Sequence, residues 1–292
     1  MRPPTPHGPP FDWSSSSGPL SHLPMLRRVA SRTFHYSREG SGPPVILLHS
    51  SGLIGAQWKR TVTSLRDRFE CTCPDLWGAG QSDVWGPAPQ FRVEDELVLL
   101  GTLLDDLGPS SLVGHSYGGL VALQGALRWP ERVKSVTVFE PVALSTLQTS
   151  SQPGDQAEWE SLQQPFWLDE QRGGSADWVR QFIEYWSGPG AFAALPGPVQ
   201  AQFIQAGPVV FGETVACRKA ATTLEEYGRM KARLQVIRGG ASTKTAARVC
   251  ELLAGAVPGA KLHTIEGAPH MGPMTHAAQF NGLVSEWLSS GG

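Results

Sequence analysis

The stretch Leu112-Val113-Gly114-His115-Ser116-Tyr117-Gly118-Gly119 constrains this chain more than any other. An apolar, strand-like run (residues 111–113) leads into Gly114-x-Ser116-x-Gly118, and a helix-like segment (120–129) follows at once. A turn that sharp needs small residues two positions either side of the serine, because a Cβ there obstructs the backbone. The serine at its apex is held in a strained conformation that lifts its hydroxyl above the end of the strand. The following helix aims its first N–H groups and the positive end of its dipole at any negative charge that develops nearby.

The surrounding pattern agrees. Residues 29–37 read as an early strand or hairpin arm, 45–48 as a short buried strand, 57–68 as a helix and 70–74 as a strand. A helix over 93–107 ends at Gly108-Pro109, 111–114 is the strand before the turn, and 133–139 is another, rich in β-branched residues. After an interruption the alternation resumes: strand 234–237, helix 244–253, strand 261–265 and a closing helix 276–288. Strands alternating with helices of this length predict an α/β fold with a mostly parallel central sheet flanked by helices.

Residues 145–228 break that rhythm with Gln, Trp and Gly-Pro punctuation, helix-like pieces such as 176–186, and no clear strand. They read as a helical insertion, leaving 26–144 and 229–292 as the core. Residues 1–25, dominated by Pro, Ser and Gly, read as a disordered tail, because such a composition cannot bury a core.

Four further features stand in a telling order: Leu47-Leu48-His49-Ser50-Ser51-Gly52; Asp75-Leu76-Trp77-Gly78-Ala79-Gly80-Gln81-Ser82; Glu140 at the end of the strand after the turn helix; and Gly267-Ala268-Pro269-His270-Met271-Gly272 before the last helix. With Ser116 they resemble the α/β-hydrolase superfamily, over about residues 29–290, with a helical cap inserted after the sixth strand. The resemblance implies a nucleophile elbow in which Ser116 is the nucleophile and His270 its base, since a serine hydroxyl needs an imidazole to take its proton. Many members carry Asp after the seventh strand, but here that loop holds Ser242. The superfamily's second solution, an acid at the end of the sixth strand, falls on Glu140, which would hold the imidazole tautomer.

The same resemblance implies an oxyanion hole from the backbone N–H groups of Ser51 and Tyr117. Ser50, Gly52 and Met271 are the candidate substrate contacts, with Tyr117 a pocket residue beside the nucleophile. His49 would brace the oxyanion loop, His115 is a structural neighbour of the turn, and the 75–82 segment is architectural, its Gly78 and Gly80 permitting a tight turn. Aromatic residues of the insertion, including Trp159, Trp167, Trp178 and Trp186, are expected mostly to hold it together, with some lining an apolar pocket.

The expectation is a cofactor-free serine hydrolase that cleaves carboxylic esters of small to medium apolar substrates through an acyl-enzyme. Alternatives on the same triad are a C–C bond hydrolase, a lactonase or a perhydrolase, and from another class a catalytically idle ligand-binding protein. A serine nucleophile argues against the epoxide hydrolase and haloalkane dehalogenase branches, which use aspartate.

Bulk properties narrow the partners. Lys and Arg number 24 against 26 Asp and Glu, a net charge of −2 without a basic block, so neither nucleic acid nor a membrane surface is expected. A small-molecule substrate is, and self-association stays open. Cys71, Cys73, Cys217 and Cys250 have no zinc-like spacing and read as reduced, mostly buried thiols, with no metal. No stretch approaches the ~20 apolar residues of a membrane span, and no apolar signal core is seen, so a cytoplasmic location is expected.

Overall fold

The computed structural model describes residues 25–86 and 90–291. The chain opens with an antiparallel hairpin, β1 (Met25–Val29) and β2 (Arg32–Glu39), followed by β3 (Pro44–Leu48). A 3-10 turn (Gly55–Trp58) leads into α1 (Lys59–Leu65), then come β4 (Glu70–Pro74), α2 (Val93–Leu107), β5 (Ser110–His115), α3 (Tyr117–Arg128) and β6 (Val133–Phe139). Seven helices follow: α4 (Ser145–Gln148), α5 (Pro153–Ser161), α6 (Pro165–Leu168), α7 (Ala176–Ser187), α8 (Ala191–Ala194), α9 (Gly197–Lys219) and α10 (Leu224–Gly228). The chain then returns through β7 (Arg233–Gly239), α11 (Lys244–Ala256), β8 (Lys261–Ile265), α12 (Gly272–Thr275) and α13 (Ala277–Ser289).

The strands form one eight-stranded sheet in the order β1-β2-β4-β3-β5-β6-β7-β8. β2 runs antiparallel to β1 and β4, and every other pairing is parallel. Alternation along each strand feeds two cores. On one face Val45, Leu47, Val113, Phe139 and Ile237 pack against Trp58, Val62 and Leu65 and against Phe280, Val284 and Leu288, which brings α1 and α13 to that side. On the other, Ile46, Leu48, Leu112, Val136, Val138 and Val236 meet the apolar stripes of α2, α3 and α11. The parallel strands are therefore buried on both faces, as their nearly continuous Val/Ile/Leu sequences require.

The differences from the sequence reading have local causes. The single arm expected over 29–37 is two strands, because Ala30 turns at φ 53°. The helix expected from 57 starts as a 3-10 turn whose Gly55 N–H is tied to Asp75 Oδ1 at 2.8 Å. The tail reading of 1–25 lies outside the described residues except for Met25, which begins β1. The four cysteines are buried and unpaired.

Between β6 and β7 the described residues contain no strand. The Leu195-Pro196-Gly197-Pro198 punctuation, which suggests a loop, instead opens the 23-residue α9, with proline in its first turn where a missing N–H costs nothing. Pro208 sits inside the same helix, beside Gly207. A Cβ on Gly207 would come within 2.2 Å of the Gly174 carbonyl oxygen, so α9 crosses the loop before α7 at backbone contact. α7 presents Trp178, Val179, Phe182, Ile183 and Trp186 along one stripe. Trp178, Val179 and Ile183 share with Phe192, Val210, Phe211 and Val215 a third core separate from the two on the sheet.

Candidate active site

Ser116 stands at the C-terminal end of β5 with φ 53° and ψ −113°. The turn is locked from four sides: Ser116 N–H donates to the Phe139 carbonyl (3.0 Å), Gly118 N–H to His49 (3.1 Å), and Leu120 and Val142 N–H to Ser116 itself (3.1 and 3.2 Å). Neither flanking glycine can be replaced without displacing backbone. A Cβ on Gly114 would lie 2.4 Å from the Gly118 oxygen, and one on Gly118 would lie 2.3 Å from the Leu48 oxygen.

Glu140, one residue past β6, has φ 43°; among the described residues the positive-φ non-glycines are Ala30, Ser116 and Glu140. Its N–H donates to the Ile237 carbonyl at 3.0 Å, which fixes the strained turn against β7. That turn delivers its carboxylate to the histidine. His270, on the loop after β8, donates from Nδ1 to Glu140 Oε2 (2.7 Å), while its Nε2 faces Ser116 Oγ at 3.0 Å. The second carboxylate oxygen accepts the Gly239 N–H at 2.6 Å, so both Glu140 oxygens are engaged. Glu140 is fully buried, and Ser116 and His270 nearly so. Ser242, in the loop where an acid is commonest, places its hydroxyl against Gly239 and makes no hydrogen bond.

A hydrogen-bonded chain joins the three loops behind these groups. His115 Nε2–H donates to the His270 carbonyl (2.8 Å), its Nδ1 accepts from Gln57 Nε2 (3.0 Å), and Gln57 Oε1 accepts the Ser50 N–H (2.9 Å). Each partner fixes the next, and only the neutral Nε2–H tautomer of His115 satisfies both its contacts. Burial, then the neighbouring His270, hold the His115 pKa well below the usual value, consistent with that neutral form. His49 is neutral for the same main reason, burial; its Nδ1–H donates to Ser50 O (2.8 Å) and its Nε2 accepts the Leu76 N–H (2.9 Å).

The Asp75 carboxylate ties the neighbouring loop to β2 and to the 3-10 turn, meeting His35 Nδ1 at 2.9 Å and Gly55 N–H at 2.8 Å.

Two cavities meet at Ser51 and Ser116. The larger, of about 190 Å³, is bordered by Ser50, His270 and Met271 and by aromatic side chains of α7 and α9. The smaller, of about 30 Å³, runs from the same two serines past Trp186 and Thr214 to Arg218. Tyr117 supplies a first-turn N–H that no helical carbonyl can accept. Its side chain, however, is fully buried away from both cavities, which corrects the expectation of a pocket residue. The phenol instead points into the molecule near Glu96 and Glu213, where burial pushes its pKa up. Gly52 likewise borders neither cavity: at φ 71° it backs onto Phe203, whose ring would be 2.8 Å from a Cβ there.

Three participants are not legible in the sequence. Gln57 is one polar residue on an otherwise ordinary helix start. Trp186 is a member of a helical aromatic stripe, yet it stacks on His270 (ring centroids 4.9 Å, planes 26° apart). Arg218 lies next to Lys219 and reads as a solvated charge. Among the described residues no group of three or more His, Cys, Asp or Glu side chains could hold a metal ion, and no helix is long and apolar enough to cross a membrane.

Residues 45–283 match the profile of the alpha/beta hydrolase family. The chain belongs to that family. It is 30% identical over 138 residues to the cis-3-alkyl-4-alkyloxetan-2-one decarboxylase of Shewanella oneidensis (45% of this chain, 43% of that one). It is 37% identical over 110 residues to the pimeloyl-[acyl-carrier protein] methyl ester esterase of Vibrio campbellii (37% and 41%). Each match thus spans less than half of the relative's length. Among solved structures, the enol-lactonase of Burkholderia xenovorans superposes with a TM-score of 0.73 at 20% identity, covering 91% of this chain and 100% of that one. That likeness establishes the fold of this family member.

Proposed function

We propose that this alpha/beta hydrolase is a serine hydrolase that cleaves a carboxylic ester through an acyl-enzyme, with Ser116, His270 and Glu140 as its triad. The observation that carries the reading is the continuous chain from Glu140 through His270 to Ser116, at 2.7 and 3.0 Å, ending on a serine at positive φ. Ser116 Oγ attacks the carbonyl carbon while His270 Nε2 takes its proton, and Glu140 stabilises the imidazolium through Nδ1–H. The backbone N–H groups of Ser51 and Tyr117 receive the tetrahedral oxyanion. His270 then returns the proton to the departing alkoxide, and water, activated by the same imidazole, releases the acid. The chemistry asks for no cofactor: the side chains and water balance every proton.

The helices of residues 145–228 act in this reading as a cap. The stacking of Trp186 on His270 supports it, because that indole shields the imidazole from bulk water. Residues 26–144 and 229–292 form the catalytic core, and Ser50 and Met271 border the substrate.

Labelling with a fluorophosphonate tests the reading. Wild type should label at one site, with labelling abolished in Ser116→Ala and slowed at least about 10⁴-fold in His270→Ala. A wild type that never labels would rule out an active serine nucleophile.

A further inference from the structure

Arg218 closes the smaller cavity in an unusual state. Its Nε and both Nη atoms are shielded from solvent, and none has a hydrogen-bond partner. The Trp159 ring lies 4.2 Å from the guanidinium carbon, and the Tyr185 phenol and the Cys217 thiol are near enough to interact with its charge. Burial lowers its pKa to about 10, so the group still carries its charge at neutral pH. Among the described residues no carboxylate forms an ion pair with it. Glu158, next to that indole, is committed to Thr245 and Lys244. Glu213, one turn earlier on α9, is held protonated at neutral pH, since burial raises its pKa to about 8. A buried guanidinium with all its donors unmet is costly, and the fork it presents matches a carboxylate in two parallel hydrogen bonds.

The two cavities have different roles in an acyl transfer. The leaving alkoxide must take its proton from His270, and His270 borders the larger cavity and not the smaller one. The alcohol side of the substrate therefore belongs in the larger cavity. The acyl side, still attached to Ser116, extends past Trp186 and Thr214 toward Arg218. About 30 Å³ is room for a group of one or two water molecules' size at the end of a short chain.

We infer that Arg218 is a substrate-specificity residue, and that the acyl group is short and ends in a carboxylate: the substrate is a monoester of a short dicarboxylic acid. The inference rests on the serine hydrolase reading and narrows it, replacing a wholly apolar acyl group with an anionic one.

Monomethyl succinate, glutarate and adipate, each beside its neutral monoamide methyl ester of equal length, provide the test, with methanol release as the readout. Wild type should hydrolyse the best of the acids with a kcat/KM at least about 30-fold above its amide, the size of one charge-assisted pair. Arg218→Gln should bring that ratio to within about threefold of unity, and Arg218→Lys, which keeps the charge and loses the fork, should fall between. A wild-type ratio near one, or a ratio that survives in both variants, overturns the assignment. If Arg218→Gln does not fold, the wild-type ratio and the Lys variant still decide it. Fluorophosphonate labelling of Ser116 separates the two levels. Labelling without acid preference removes the carboxylate subsite alone; absence of labelling removes the serine hydrolase reading and this inference with it.

Discussion

The surroundings of Ser116 and the underside of α9 are adjacent, yet they treat polar atoms in opposite ways. Around the triad the hydrogen-bonding side chains, Ser242 apart, are matched: both Glu140 oxygens, both nitrogens of His270, His115 and His49, and both ends of the Gln57 amide have partners. Under α9 the reverse holds. One oxygen of Glu96, the Tyr117 hydroxyl and the Arg218 guanidinium have no hydrogen bond, and the buried Glu213 carboxyl has the Ser51 hydroxyl beside it without a well-formed bond. A matched network is rigid because each group has one orientation that satisfies its neighbours. Unmatched buried groups lower stability, and they persist in proteins where binding or catalysis repays the strain. The first region is thus organised before substrate arrives, whereas in the second only Arg218 borders a cavity, and Tyr117, Glu96 and Glu213 border neither of the two beside Ser116.

Breaking the matched region should have the largest effect. Glu140→Gln places an amide against His270 Nδ1 and favours the wrong tautomer, so kcat should fall by about 10³–10⁴ while Ser116 stays in place. A drop under tenfold would mean that another group orients the imidazole. Gln57→Leu removes two hydrogen bonds and orphans both the Ser50 N–H and His115 Nδ1. It touches no reacting atom, so it tests positioning: kcat should fall roughly tenfold with KM little changed, and the melting temperature should drop by about 4 °C. An unchanged kcat with the same loss of stability would reduce Gln57 to a structural brace.

Relieving the unmatched region should have the smallest effect, and of opposite sign. Glu213 keeps its proton in the folded state up to about pH 8, while the unfolded chain loses it near the ordinary glutamate value of 4.5. Between those values the folded state binds more protons, so this group makes the wild type progressively less stable as pH rises. Glu213→Gln removes that slope. The variant should melt higher than wild type by roughly 5 °C at pH 8 and by clearly less at pH 5, measured by calorimetry. A gap that narrows with rising pH would show that Glu213 is ionised in the fold.

Much of the core was legible because it depends on local periodicity and on a turn that few residues can make. Val133–Phe139, Glu70–Pro74 and Val93–Leu107 appear where their patterns place them. Gly114 and Gly118 mark the elbow because only glycine fits there. The helical region was legible in kind but not in detail. Proline and glycine over 195–198 look alike whether they end a helix or begin one, and only packing against Gly174 and the third core decides that α9 runs through Pro208.

The sequence by itself determined the sheet, the elbow, and that Ser116, Glu140 and His270 follow the C-terminal ends of three of its parallel strands. Periodicity and sterics act over a few residues, and a parallel sheet collects its strand ends at one edge. Only the tertiary structure decided which acid reaches the imidazole, why Tyr117 turns inward, and how Gln57, Trp186 and Arg218 enter the site. Those outcomes rest on contacts between residues up to 155 positions apart, and on which buried groups find a partner, a property no local window of sequence contains.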